Sequence, residues 1–183
     1  MAKRFFCVGM AFLALTACAD DSADHDGDGK ISAKERATEF ASDGFIPMKA
    51  GRWETKFVFS DIDVPALGQN KKQQIMSEIA KVASSASCLS EAEAKNPSAD
   101  FFGGDGAENC TYKTFDLSGQ NARLSLVCSM EGVGSVDMDL NGAMAEQKFD
   151  FATGVAMRLP MVGKVVLKGT AEGRYIGACQ GDE

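Results

Sequence analysis

Residues 110–128 read CTYKTFDLSGQNARLSLVC, and this stretch decides the fold. Apolar and polar side chains alternate on both sides of its centre, which is the period of a β-strand. Its middle, Ser-Gly-Gln-Asn, is typical of a turn. An antiparallel hairpin centred on Gly119 places Cys110 opposite Cys128 and Tyr112 opposite Leu126. Directly opposed residues lie close enough for a disulfide, so we expect one between these two cysteines.

Two further cysteines, Cys88 and Cys179, follow the predicted leader described below. Four cysteines allow three pairings, and the hairpin leaves Cys88 to pair with Cys179. A metal site is the rival use of four cysteines, but the chain has no Cys-x-x-Cys spacing. We therefore predict two disulfides, Cys110–Cys128 and Cys88–Cys179.

Alternation of apolar and polar residues dominates the rest of the chain. It recurs at residues 52–60, 136–141, 148–151 and 165–179. Asn70–Ser84 instead has apolar residues at helical spacing, and residues 95–98 and 101–109 have loop composition. These patterns predict a mainly β fold over residues 46–183. We expect a curved antiparallel meander or partly open barrel of six or seven strands with one covering helix.

The N-terminus has the features of an export signal. Lys3 and Arg4 precede an apolar segment, Phe5–Ala17, that is too short to span a bilayer. The segment ends in Leu-Thr-Ala-Cys, which resembles the bacterial lipobox. We therefore predict a lipoprotein signal peptide at 1–17, lipidated Cys18, and a short linker at 18–23. An ordinary signal peptide is the alternative interpretation.

The residue after the cysteine indicates the final location. Ala19 stands where an aspartate would favour retention at the inner membrane in enteric bacteria. We therefore expect a periplasmic protein that is anchored to the outer membrane through Cys18.

A calcium-loop pattern follows at residues 24–35, DHDGDGKISAKE. Calcium takes six to eight oxygen ligands, and an EF-hand loop supplies them from fixed positions. Gly29 stands at position 6, where the chain turns around the ion. The predicted ligands are Asp24, Asp26, Asp28, the Lys30 carbonyl, Ser32, and Glu35 with both oxygens. An acidic, solvated linker is the alternative interpretation.

The loop departs from an EF-hand in what surrounds it. The chain between Cys18 and Asp24 is too short for an entering helix, and no second loop exists to pair with position 8, Ile31. Arg36 replaces the usual large apolar residue after the loop. We therefore expect a weak site, with a Kd on the order of 10⁻⁴–10⁻³ M. An exiting helix, capped by Ser32 and Glu35, should end near residues 43–44 and complete a unit at 24–43.

Several segments resemble a proteobacterial periplasmic family, domain of unknown function 3617. The similar segments are Met48–Glu54, Cys88–Ala92, Cys110–Tyr112, Leu126–Cys128 and Gly173–Cys179. The resemblance covers residues 46–179, with the four cysteines in the family's order. It implies an exported, disulfide-bearing β domain. It implies no particular activity, because the family has no established one.

Composition and residue chemistry argue against two classes of function, nucleic-acid binding and catalysis. The formal net charge of −7 argues against nucleic-acid binding, which requires a basic patch. The chain has one histidine, His25, inside the calcium loop, so no Ser-His or Cys-His pair is available for catalysis. We predict no catalytic residues and no enzyme activity.

Two binding functions remain. The first is a calcium-binding envelope lipoprotein, a monomer whose β domain binds another protein. The second is a carrier of a small apolar ligand in a barrel cavity. An adaptable lining could come from five methionines, which would suit an ordinary core equally well. They are Met130, Met138, Met144, Met157 and Met161.

Overall fold

The computed structural model describes residues 23–42, 46–65, 67–82, 84–104, 107–160 and 162–180. The predicted signal peptide and Cys18 lie outside the described residues. The helices are α1 (Ala33–Ser42), α2 (Gln69–Val82), α3 (Glu91–Lys95) and α4 (Ala99–Gly103). The strands are β1 (Gly51–Asp63), β2 (Ser84–Leu89), β3 (Ala107–Ser118), β4 (Asn121–Met130), β5 (Gly134–Ala145), β6 (Lys148–Leu159) and β7 (Gly163–Gly177).

The seven strands form one antiparallel sheet in the order β2-β1-β7-β6-β5-β4-β3, curled into a half-barrel. Inward side chains are buried and their neighbours are exposed, as along β4 and β5. This alternation is the one present in the sequence, because successive side chains of a strand point to opposite faces. The predicted mainly β fold with a curved antiparallel sheet is confirmed.

The β3–β4 hairpin has the predicted register around Tyr112 but is offset from it by one residue next to the turn. Ser118 pairs with Asn121, so the turn lies slightly beyond the predicted centre at Gly119. A β-bulge after Tyr112 then shifts the register, and Tyr112 pairs with Leu126 as predicted.

Both predicted disulfides are present. The Cα atoms of Cys110 and Cys128 lie 4.0 Å apart, and those of Cys88 and Cys179 lie 5.7 Å apart. The first links β3 to β4 within the hairpin. The second joins strand β2 to the chain just after β7, so each edge strand of the sheet carries one disulfide.

Aromatic side chains fill the inner face of the curled sheet. Trp53 is fully buried and stacks on Phe149, with ring centroids 6.1 Å apart. Gly173 on β7 leaves room for this stack, because a Cβ atom there would lie 2.0 Å from the Phe149 ring. Phe102 of α4 contacts both Phe149 and Phe151 edge to face. Helix α4 therefore packs onto the inner face and closes part of the half-barrel.

The helices match the prediction in part. Helix α2 corresponds to the helix predicted at Asn70–Ser84 and packs beside β1. The loop predicted at 101–109 is wrong at both ends, because α4 extends to Gly103 and β3 begins at Ala107. Burial of Phe102 explains the helical turn that the sequence pattern did not show. Among the described residues, no helix is long and apolar enough to cross a membrane.

Candidate metal centre

Asp24 and two glycines shape the start of the loop that precedes α1. Gly27 and Gly29 have φ values of 72° and 78°, a region that glycine adopts without steric cost. The two carboxylate oxygens of Asp24 accept hydrogen bonds from the amides of Gly27 at 2.8 Å and Gly29 at 2.9 Å. The chain therefore turns around the Asp24 carboxylate, with glycine at position 6 as the sequence predicts.

The next two aspartates repeat this arrangement. Asp26 accepts from the Asp28 amide at 3.1 Å, and Asp28 accepts from the Lys30 amide at 2.8 Å. Such bonds from a side chain to the backbone two residues on are Asx turns. They bring Asp24, Asp26 and Asp28 together, each with a carboxylate oxygen within 4.8 Å of those of the other two. Three acidic oxygens, the donor type that a hard cation prefers, thus lie close to one another.

Glu35 connects the two ends of the loop. One of its oxygens accepts from the His25 amide at 2.9 Å, and the other accepts from the Ser32 amide at 2.8 Å. The Ser32 hydroxyl accepts from the Glu35 amide at 3.3 Å, which completes the predicted capping box of α1. Hydrogen bonds from the side chain and then the backbone of Ser32 lower the pKa of Glu35 to about 2. Glu35 is therefore an anion at neutral pH.

Three of the predicted ligand residues have other contacts in this structure. Glu35 does not belong to the cluster of the three aspartates, and both of its oxygens accept from backbone amides. The Lys30 amide donates to Asp28, and the Ser32 hydroxyl caps α1. Their participation in coordination, through the Lys30 carbonyl and the Ser32 hydroxyl, stays a prediction.

The loop is docked on the β domain. Ala23 is 1% exposed and Ile31 is 5% exposed, and both belong to the same buried cluster as the sheet residues. The Ile31 amide donates to the carbonyl of Tyr112 on edge strand β3, at 3.4 Å. The sequence did not predict this contact, because nothing in the pattern relates position 8 of the loop to a particular strand.

Arg36 forms the second contact between the loop unit and the β domain. Its guanidinium lies 5.0 Å from the centroid of the Tyr112 ring. Its Nε donates to Asn96 at 2.9 Å, and its Nη1 donates to the Ile31 carbonyl at 3.2 Å. Burial lowers the pKa of Arg36, and burial raises that of Tyr112. Arg36, a departure from the EF-hand pattern, is therefore a docking residue.

Asn96 and Pro97 complete the docking site. The Asn96 side chain donates to the carbonyl of Ala33 in α1 at 2.8 Å, and it accepts from Arg36. The buried Tyr112 hydroxyl donates to the Pro97 carbonyl at 3.1 Å. Sequence analysis placed residues 95–98 in a plain loop and missed this role.

A cleft beside α2 is mostly polar and so differs from the predicted apolar cavity. It has a volume of about 370 Å³ and lies between α2 and the end of β1. It is lined by Ser60, Asp61, Ile62, Gln69, Lys72, Gln73 and Met76. Met138 and Met144 are core residues, and Met130 and Met157 pack against that core. Met161 lies outside the described residues.

The comparisons with known proteins identify the family. Residues 48–179 match the family described as protein of unknown function DUF3617, so the chain belongs to this family. The match covers the β domain and leaves residues 24–35 outside it. Neither curated proteins nor solved structures contain a match.

Proposed function

We propose that this protein is a calcium-binding lipoprotein of the bacterial envelope, of unknown biological role, whose β domain serves as a binding or interaction module. The observation that carries the calcium proposal is the convergence of Asp24, Asp26 and Asp28, with one oxygen of each within 4.8 Å of the others. Glu35, an anion that accepts from the His25 and Asp26 amides of the same loop, supports it.

The donor set suits calcium better than magnesium. Three aspartates, the Lys30 carbonyl, Ser32 directly or through a water, and bidentate Glu35 would supply about seven oxygens, within the range that calcium takes. Magnesium requires a smaller and nearly ideal octahedron, which a 12-residue loop of this kind does not impose. We expect magnesium to compete poorly.

Calorimetric titration of the mature protein with calcium tests the proposal. We expect binding with a Kd on the order of 10⁻⁴–10⁻³ M. Asp24→Ala should weaken binding, and Glu35→Gln should weaken it most, because Glu35 closes the coordination shell. Absence of a binding signal at several millimolar calcium would contradict the proposal.

A matched control separates ligand loss from general effects of charge and capping. Glu93 caps α3 through Ser90 in the same way that Glu35 caps α1 through Ser32. Glu93→Gln removes the same charge from the same kind of capping box outside the loop. It should leave the calcium affinity unchanged. Equal losses for Glu93→Gln and Glu35→Gln would exclude Glu35 as a ligand.

The membrane anchor is the second part of the proposal. The basic residues Lys3 and Arg4, the apolar segment and the lipobox-like ending at Cys18 support it. Labelling of the bacterial host with radioactive palmitate should mark the protein, and Cys18→Ser should abolish the label. Separation of the membranes should place the protein in the outer-membrane fraction. A secreted, unlabelled wild-type protein would contradict the anchor.

The β domain is proposed as an interaction module and not as an enzyme. The single histidine, His25, has an exposed side chain in the loop that precedes α1. Side chains of Trp53, Phe102, Phe149 and Phe151 pack together on the inner face, so we expect partners to bind the outer face or the edges of the sheet. The apolar-carrier alternative has no specific observation in its favour.

A further inference from the structure

Edge strand β3 meets the loop where a second calcium hand would meet it. In paired EF-hands, the apolar residue at position 8 pairs with the same position of the partner loop. Here position 8 is Ile31, and its amide donates to the Tyr112 carbonyl while its side chain is buried in the common core. A strand of the β domain therefore occupies the place of the missing partner.

The residue after the loop makes a matching contact. An apolar residue at this position would pack on the partner hand, whereas Arg36 lies over the Tyr112 ring and bonds Asn96. The same guanidinium donates to the Ile31 carbonyl, so it ties both contacts together. Position 8 and the position after the loop thus dock on one residue of β3, Tyr112.

We infer that β3, with Asn96, acts as the partner hand of this single calcium loop, so that calcium affinity and stability of the β domain are coupled. This inference rests on the proposed calcium function. Coupling between two parts of a molecule is reciprocal. Contacts that hold the loop in its docked form raise the affinity for calcium, and bound calcium stabilises the docked β domain. Arg36 and Tyr112 are positioning residues, because neither supplies a ligand oxygen.

One pair of variants distinguishes docking from simple electrostatics. Arg36→Gln and Lys34→Gln each remove one positive charge from α1, but Lys34 is exposed. Loss of a nearby positive charge alone should tighten calcium binding slightly in both variants. Loss of docking should weaken binding in Arg36→Gln alone, by about tenfold for a coupling of about 1.4 kcal/mol. Asn96→Ala should weaken binding in the same direction.

The experiment compares these variants in the full mature protein purified in detergent, by calorimetric titration with calcium. The fluorescence of buried Trp53 verifies that each variant is folded before titration. If Arg36→Gln does not fold, Asn96→Ala carries the test, because it removes the same contact from the β-domain side. Unchanged or tighter calcium binding by the folded docking variants would overturn the inference.

A second measurement reads the coupling from the β domain itself. Trp53 reports unfolding of the sheet, and calcium at ten times its Kd should raise the unfolding midpoint of the wild type by about 3–6 °C. Arg36→Gln should show a smaller rise at the same calcium concentration. If calorimetry detects calcium binding to the wild type but its unfolding midpoint does not rise, the coupling is overturned and the calcium function stays intact. No calorimetric binding in the wild type would overturn both.

Discussion

Edge strands β2 and β3 lie at opposite ends of the sheet and differ in length and in what covers them. Strand β2 has six residues, and β3 has twelve. Each carries a disulfide, and each is associated with a helix that begins with a Ser-x-x-Glu capping box. The box of α3 directly follows β2, and the box of α1 belongs to the loop that docks on β3.

The acidic loop distinguishes the two edges, because it docks on β3. Long edge strands expose unpaired backbone groups and invite association with other chains, whereas short ones expose few. On β3, the Tyr112 carbonyl accepts from Ile31, and the Cys110 amide donates to Asp100 of α4. The longer edge is thus covered by two segments from elsewhere in the chain. Under the proposed calcium function, cover by this loop would make the state of that edge dependent on an ion.

Removal of the disulfides should give the largest effects on stability. It should also distinguish the two edges by their influence on calcium binding. Cys88→Ala with Cys179→Ala opens a bridge across 91 residues, and Cys110→Ala with Cys128→Ala opens one across 18. Chain entropy predicts losses of about 4.5 and about 3 kcal/mol in the free energy of unfolding. Only the loss of Cys110–Cys128 should also weaken calcium binding, because it adjoins Tyr112.

Urea unfolding followed by Trp53 fluorescence measures the stabilities, and calorimetry measures the calcium affinities. Equal weakening of calcium binding by the two double variants would contradict a specific role for β3. Non-reducing peptide mapping of the wild type provides the control that both bridges are formed.

Truncation of one buried aliphatic residue at each edge should give intermediate effects. Leu89→Ala at the end of β2 should cost about 3 kcal/mol, and Ile31→Ala should cost about 2 kcal/mol, because the docked loop can relax locally. Both side chains are buried. Calcium affinity should fall for Ile31→Ala and stay unchanged for Leu89→Ala. The reverse pattern in a titration of both variants would contradict the docking account.

Acid should have a smaller effect that again differs between the two capping boxes. The folded pKa of Glu35 is about 2, below its usual value of 4.5, so its stabilising contribution is complete above pH 4.5 and declines as the pH falls toward 2. Hydrogen bonds from Ser90 lower the pKa of Glu93 as well. In calcium-free buffer, unfolding midpoints should depend less on pH between 4.5 and 2 in Glu35→Gln than in Glu93→Gln. The same dependence in both variants would contradict this difference.

Much of the sheet could be predicted from the sequence because period-2 alternation and turn residues act locally. The Tyr112–Leu126 pairing and the disulfides followed from that alternation. The bulge after Tyr112 was missed, although the buried residues Tyr112 and Phe115 stand three positions apart and so break the alternation. Helix α3 had a readable signal in its capping box, Ser90 to Glu93. Helix α4 had none, because its two phenylalanines are adjacent and burial on the sheet stabilises it.

The candidate site also has one part that depends on local sequence and one part that depends on long-range contacts. The turn at Gly29 is local, and the position of this glycine in the residue pattern predicted its positive φ. The docking of Ile31 and Arg36 on Tyr112 joins residues about 80 positions apart along the chain. Such contacts depend on the complete fold. The sequence alone therefore showed Arg36 only as a departure from the EF-hand pattern.

A crystal structure of the mature protein grown at millimolar calcium tests the central claim most directly. We predict an ion bound by Asp24, Asp26, Asp28, Lys30, Ser32 and bidentate Glu35, with oxygen distances of about 2.3–2.6 Å. The Ile31 amide should remain bonded to the Tyr112 carbonyl. An ordered loop without an ion, or calcium bound only elsewhere on the molecule, would contradict the account.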